Sequence, residues 1–447
     1  MVQNLYKESE QNIDKTLLDL SCVVDKDYGL IKNIKRVRQY YDEPKFWYYS
    51  ADLNDSFLKN NGRHFYSKAS GASLFSQKEA LLKCFGEAIE RYCNFVFLSK
   101  STHIIKSINK MRCKFIDPRT ISAFSKKQLR KAKFKRFKIS DNSVFRWTDC
   151  ISLPKEEVFL IPSQFIYLSY PYLKEEPSIY SSISTGVAGG ANFSAAITRG
   201  ICEIIERDAF MIFYLDKLKP SKINLKRIDN AQIQKLLTIA DRYKLEIVAL
   251  DITTDFGVPT IASIVIDHSG LGKAVSVGLK CDFDIVKAIT GSVEEAFHTR
   301  SWLRSSHENK PAKVSVRDLY KKSDIRSRGL LWYPSEVIKK LNFWLTKPDK
   351  KDIDPTGKNF SSGEKLKKLV EIFRKKNYDI YYKDITIQEF KELNYFVVKV
   401  IIPKMQPLYL DENYPLLGGE RLYNVPGKLG YENNVEENLN KFPHPFL

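Results

Sequence analysis

Apolar residues fall into a helical rhythm early in the chain. In KEALLKCFGEAIERYCNFVFL, Ala80, Leu81, Cys84, Ala88 and Tyr92 recur at helical spacing and predict an amphipathic helix. Further on, Ser181–Lys217 (SSISTGVAGGANFSAAITRGICEIIERDAFMIFYLDK) reads as a glycine-rich loop opening into a long helix. Other helices are expected over roughly Phe283 to Arg304 and Gly363 to Lys375. Between them lie strand-like runs: FLIPSQFIYL (159–168), LEIVALDIT (245–253), TIASIVID (260–267), AVSVGL (274–279), IYYKDI (380–385) and YFVVKVIIP (395–403). Strands alternating with helices predict an α/β (α+β) fold with mixed sheets. Lys347–Lys358 reads as an exposed linker, and the Pro/Gly-rich tail carries few helix signals. The expected organisation is an N-terminal segment, 1–60, followed by one domain, 61–447, whose last stretch is a proline-rich tail, 435–447.

Composition removes several function classes. With 447 residues the chain can bury a large core. It has no apolar run of about 18 residues, so no membrane span is expected. Met1 to Asp19 lacks the apolar core of a signal peptide, so a cytoplasmic protein is expected. Seven scattered cysteines without a CxxC pair argue against a disulfide framework or a structural zinc, and six dispersed histidines offer no HExxH. The net charge is +19, and much of the excess lies between Lys100 and Lys138. A solvated face, nucleic acid, an acidic peptide or protein and a triphosphate all fit such a stripe, so charge does not choose.

Carboxylate pairs carry the chemistry. GEAIER (Gly86–Arg91) and CEIIER (Cys202–Arg207) share the frame Glu-x-Ile-Glu-Arg, in which two Glu three apart project from one helix face. EEAFHTR adds Glu294, Glu295 and Arg300. Mg²⁺ on a nucleotide is held by a few carboxylates plus phosphate oxygens, which such helices could supply if they converge. Solvent-facing Glu/Arg decoration of a helix is the alternative. The small residues of STGVAGGANFS, feeding a helix N-terminus, would leave amides open to an anion, although the loop is neither a P-loop nor a dinucleotide fingerprint.

These residues closely resemble the YcaO family. The resemblance rests on Ser184-x-Gly186-x-Ala188-x-Gly190 followed by Glu203-x-x-Glu206-Arg207-Asp208-Ala209, and on the earlier Gly86-Glu87-Ala88-Ile89-Glu90-Arg91. Leu250-Asp251-Ile252-Thr253 with Gly257-Val258-Pro259, and Glu295-x-x-His298-x-Arg300, where the family usually has Gln for His298, extend it over roughly 60–447. The resemblance implies ATP and Mg²⁺ as cofactors, with Glu87, Glu90, Glu203 and Glu206 as metal ligands. It implies Lys68, Ser184, Gly186, Ala188, Gly190, Asn192, Arg207 and Arg300 as nucleotide contacts. Two departures stand out: Ser194-Ala195-Ala196, where many members carry an acid, and Gly71-Ala72-Ser73, where many have Gly-Lys-Gly in the first loop.

The ending Pro443-His444-Pro445-Phe446-Leu447 is similar to the PxPxP-like tail of the azoline-forming branch, as are Gln406-Pro407-Leu408 and Leu417-Gly418-Gly419-x-Arg421-Leu422. That resemblance implies a cyclodehydratase converting Cys, Ser or Thr of a precursor peptide to azolines. Pro443 and Pro445 would position Leu447, whose α-carboxylate would act as base. By family logic the partners are the precursor peptide, an E1-like or ThiF-like leader-binding protein and an FMN-dependent azoline dehydrogenase, with a homodimer left open. Thioamide or amidine formation, a non-catalytic scaffold and a nucleic-acid binder are the competing readings, the last ranked lowest.

Overall fold

The computed structural model describes residues 2–8, 12–54, 67–96, 103–121, 123–181, 183–321, 323–346, 350–355 and 359–447. The chain forms two compact units from interleaved segments. Unit 1 comprises Met1–Arg38, Trp47–Ile204 and Phe360–Met405, and unit 2 comprises Gln39–Phe46, Ile205–Asn359 and Gln406–Leu447. The boundary at 60 and parts of the Lys347–Lys358 linker (347–349 and 356–358) lie outside the described residues.

In unit 1, β1 (Ile31–Arg36), β2 (Trp47–Leu53) and β3 (Lys68–Ser73) form an antiparallel sheet. The Gln77–Phe95 helix, capped by the Ser76 side chain on the Glu79 amide, packs on it through Ala80, Cys84, Ala88 and Ile89. A Cβ on Gly71 would sit 2.2 Å from the Ala80 carbonyl oxygen, so glycine there lets the helix approach the strand. Gly71-Ala72-Ser73, expected in a loop, is therefore strand β3. The larger sheet takes β4 (Ile104–Ser107), β5 (Val144–Ser152), β6 (Glu157–Pro162) and β7 (Val187–Gly190). Pro162, which has no amide hydrogen, is the last residue of β6, and Ser163–Phe165 turns as a 3₁₀ helix, shortening the strand expected over 159–168.

Unit 2 is built on β8 (Ser221–Ile223), β9 (Leu245–Asp251), β10 (Thr260–Asp267), β11 (Val275–Cys281) and β12 (Lys350–Lys351), in the order β11-β10-β9-β8-β12. All pairs are antiparallel except β12 on β8. Every residue of β10 is buried, which explains its unbroken apolar run. The Ile285–Asn309 helix packs on this sheet, and at Gly278 a Cβ would lie 2.1 Å from the Ser292 carbonyl oxygen. The tail, expected without helix, contains the Glu420–Lys428 helix despite Pro426 and Gly427. In unit 1, β13 (Tyr381–Asp384) and β14 (Phe396–Ile401) complete the six-stranded sheet, ordered β4-β5-β13-β14-β7 with β6 on β5.

The glycine-rich loop expected before the second acidic helix is in part a strand. β7 pairs antiparallel with β14, Val187 opposite Lys399 and Gly190 opposite Phe396. Glycine has poor strand propensity, so the sequence pattern disguised it. Five cysteines (Cys84, Cys93, Cys150, Cys202, Cys281) are buried and free, as small apolar core residues should be. Among the described residues no helix is long and apolar enough to cross a membrane.

Candidate nucleotide and metal site

Unit 1 gathers three of the four expected carboxylates. Glu87 and Glu90 lie three apart on the Gln77–Phe95 helix, and Glu203 lies on the Phe193–Leu215 helix. Glu87 accepts from the Ser70 amide at 2.5 Å and pairs with Arg91 at 2.6 Å. Glu90 accepts from the Gly189 amide at 2.6 Å, and Glu203 from the Gly186 amide at 2.9 Å. Two amides of the glycine motif are thus already given to carboxylates, which corrects the expectation that they stand open for an anion.

The glycines admit one aromatic side chain. A Cβ on Gly86 or on Gly189 would lie 2.6 Å from the Tyr395 hydroxyl oxygen in each case. The Gly-Glu frame of the first helix and the Gly189 strand residue are therefore linked by a shared steric demand. Arg199 reaches the Gly189 carbonyl oxygen at 2.7 Å.

Burial and, behind it, crowding of like charge act on the same carboxyl. Burial pushes the Glu90 carboxyl up to about 8, with Glu87 and Glu203 adding to the rise against the Gly189 amide and Arg199. A carboxyl so placed favours the proton or a cation. Because Mg²⁺ must replace that proton, binding below about pH 8 should release protons and tighten as pH rises, levelling off above about 8. Calorimetry of Mg²⁺–nucleotide binding in buffers of different ionisation enthalpy should show this release, and Glu90→Gln should reduce it.

The remaining nucleotide candidates of unit 1 divide into framework and surface. The Ser184 carbonyl accepts from the Val187 amide at 2.8 Å, and Ala188 pairs with Val398. The Asn192 side chain caps the start of the Phe193–Leu215 helix through the Ala195 amide at 2.8 Å. At Gly190 a Cβ would lie 2.6 Å from the Ala196 nitrogen. Lys68 is exposed on β3 and sits 3.9 Å from Asp52. The acid missing from Ser194-Ala195-Ala196 has a counterpart that no local motif could reveal: Glu8 accepts from the Ser194 amide at 2.8 Å.

Unit 2 holds the fourth carboxylate beside one the metal assignment omitted. Glu206 accepts from the Cys281 amide at 2.7 Å, and Glu295 from the Leu279 amide at 2.6 Å. Both amides lie on β11, an edge strand of the sheet, so the two acids satisfy donors that an edge leaves unpaired. Lys280 and Arg207 stand 3.5 and 3.6 Å from Glu206. Burial pushes Glu295 up to about 7, Glu206 adding to the rise against Arg207, the Leu279 amide and Lys280. Glu295 thus behaves as a second crowded acid, and its place in the EEAFHTR helix was the available signal.

Arg300 is not an open phosphate contact in this structure. Its side chain is 4% exposed and bonds Glu43 and Asp267. Glu43, 257 residues away in sequence, could not be foreseen as its partner.

The tail is an ordered part of unit 2. Trp332 donates its indole N–H to the Pro443 carbonyl at 3.1 Å, and the Tyr214 hydroxyl reaches the Phe442 and Pro443 carbonyls at 3.1 and 3.2 Å. His444 is buried, bonds the Tyr409 carbonyl at 2.7 Å and is held well below the usual histidine range by burial and Arg328. Phe446 packs on Phe210 and lies under the Arg207 guanidinium at 4.2 Å, which brings the tail to the Glu206–Glu295 pair. Pro445 is buried, while Leu447 is partly exposed.

Among the described residues no three His, Cys, Asp or Glu side chains form a metal cage by themselves. The donor set nevertheless fits Mg²⁺. All its members are hard oxygen ligands, burial pushes Glu90 up to about 8 and Glu295 up to about 7, and Mg²⁺ usually draws its other ligands from phosphate and water.

Comparison with known proteins accords with this chemistry. The model of a family described as YcaO cyclodehydratase, ATP- and Mg²⁺-binding, matches residues 72–406. Three solved structures share the fold. A heterocyclase in complex with substrate and cofactor has a TM-score of 0.79 and 21% identity, covering 98% of this chain and 58% of its own. YcaO from Methanopyrus kandleri, bound with AMPPCP and Mg²⁺, has a TM-score of 0.63 and 14% identity, covering 92% and 95%. The E. coli microcin synthetase McbBCD complex with pro-MccB17 bound has a TM-score of 0.63 and 15% identity, covering 85% and 90%. The chain therefore spans little more than half the length of the first of these. With three-quarters of its residues matched by one family model, the chain belongs to the YcaO family.

Proposed function

We propose that this chain is an ATP-dependent peptide cyclodehydratase, turning Cys, Ser or Thr of a ribosomally made precursor into thiazoline or oxazoline. The observation that carries the reading is the crowding of Glu87, Glu90 and Glu203 around the glycine motif, in a family whose description is ATP- and Mg²⁺-binding. Glu87, Glu90, Glu203 and Glu206 are the candidate Mg²⁺ ligands for ATP, with Glu295 beside Glu206. Bound Mg²⁺ would offset phosphate charge as it develops.

The substrate thiol or hydroxyl attacks the preceding amide carbonyl. The nucleophile gives up its proton, and the resulting oxyanion takes the γ-phosphoryl group of ATP with release of ADP; the amide nitrogen then loses its proton and forms the C=N bond as phosphate leaves, so the oxygen is lost without an oxidant. Arg207 lies beside Glu206 and Phe446, where it can compensate charge and steady the tail. Pro443 and Pro445 stiffen that tail, and Leu447 is the candidate for the group beside the amide. Incubation with Mg²⁺, ATP, a Cys-bearing precursor and a leader-binding partner should give loss of one water per ring with matching ADP. Sulfur replacing oxygen would point to a thioamide-forming enzyme, and an unchanged peptide with no ATP consumed would overturn the reading.

The basic stretch Lys126–Lys138, a candidate docking surface for that partner or for an acidic leader, has a defined structural setting. Ser125 and Gln128 form a capping box, and Phe124, Phe134 and Phe137 pack together, with Phe134 and Phe137 buried. Lys131, Lys133, Lys135 and Lys138 are exposed around them. Aromatics turned inward offer no stacking surface for bases, which favours an acidic protein or leader over single-stranded nucleic acid. Lys131→Glu with Lys133→Glu and Lys135→Glu should weaken partner or precursor binding about tenfold at low salt, measured by calorimetry, while the fold persists.

A further inference from the structure

We infer that Lys399 is a positioning residue for the nucleotide, fixing the carbonyls of Ile183 and Thr185 and thereby the placement of Ser184 and Gly186. The inference rests on the proposed ATP site and assigns it a residue that no motif singled out.

Lys399 interrupts the apolar strand YFVVKVIIP and is only 6% exposed. Burying an ammonium is costly unless it is bonded, so a lysine held there needs partners that valine would not. Its Nζ donates to the Thr185 carbonyl at 2.7 Å and to the Ile183 carbonyl at 3.2 Å. The next residue of the motif is fixed on both sides: the Gly186 amide goes to Glu203 at 2.9 Å, and its carbonyl accepts from Val400 at 2.7 Å. Gly186 has φ +84°, and a Cβ there would lie 2.4 Å from the Val400 carbonyl oxygen, so this backbone cannot readily move to another course. Strand β14 therefore holds the segment at Ile183, Thr185 and Gly186, the first two through the Lys399 side chain and the third through the Val400 amide.

A lysine that merely satisfied two carbonyls would matter for folding alone. One that positions the motif should matter for nucleotide affinity beyond any loss of stability. The test compares Lys399→Met, Lys399→Gln and Lys399→Arg with Val370→Ala, a core truncation in the Ser362–Lys375 helix of the same unit. Mg²⁺ with a non-hydrolysable ATP analogue is titrated by calorimetry, thermal unfolding is recorded, and KM for ATP is separated from kcat. Lys399→Met is expected to raise Kd and KM about tenfold or more, Val370→Ala to leave both near wild type at comparable loss of Tm, and Lys399→Arg to recover most of the affinity. If Lys399→Met does not fold, Lys399→Gln is read in the same way. Equal affinity in Lys399→Met or Lys399→Gln and in Val370→Ala would overturn the inference while leaving the ATP site standing. A wild-type chain that does not bind the Mg²⁺–nucleotide would overturn the ATP site itself.

Discussion

Glu203→Gln should lower ATP-driven ring formation by about a hundredfold or more while leaving the fold in place. Glutamine keeps an oxygen that can accept from the Gly186 amide, so the 2.9 Å bond that orders the motif survives. What it removes is a formal negative charge next to Glu90, one of the two acids whose repulsion helps to keep that carboxyl protonated. A hard divalent ion gains most of its binding energy from charged oxygen ligands, and a group that stabilises developing charge is typically worth about 10²–10³ in rate. The Glu90 carboxyl should at the same time become more acidic, because a like charge has gone. Steady-state ADP release with precursor present, together with circular dichroism, checks both halves. Wild-type turnover in Glu203→Gln would remove Glu203 from the metal site.

The second large effect is expected at Asp208, for a different reason. Asp208 lies inside the Glu-Arg-Asp-Ala motif, and motif logic alone would count it with the acids of the site. In the structure it is fully buried, accepts from the Gln406 amide at 2.7 Å and pairs through both oxygens with Arg421, each at 2.7 Å. Arg421 continues to Asp255 at 2.8 Å. Breaking one partner of a buried pair leaves an uncompensated charge and typically costs about 3–5 kcal/mol. Asp208→Ala should therefore lower Tm by several degrees with or without nucleotide, followed by thermal unfolding. Nucleotide affinity, where the protein stays folded, should change little. A variant as stable as wild type would show that the pair does not carry unit 2.

Those two residues show what a sequence reveals about such a site. The acidic helices were readable because a 3.6-residue period and two identical frames are local patterns, and the structure gives helices over Gln77–Phe95, Phe193–Leu215 and Ile285–Asn309. Strand β7 was hidden because its residues are chosen for the space left by Tyr395 and by the following helix, which overrides propensity. Arg300 looked free because the partners that engage it, Glu43 and Asp267, are brought to it only by folding. The tail gave its family resemblance but not its anchorage, since Trp332, Tyr214 and Arg207 are remote in sequence. Gln406 and Arg421 were noticed as branch residues, yet their convergence on Asp208 needed three dimensions.

The acids that cover β11 set a practical rule for dissecting the site. Because Glu206 and Glu295 each bond a backbone amide of a buried strand, truncating either to alanine would silence a charge and strip that amide of its acceptor in the same stroke. Inactivity of such a protein would then reflect a weakened strand as much as missing chemistry. Glutamine, which keeps an oxygen over the strand, separates the two.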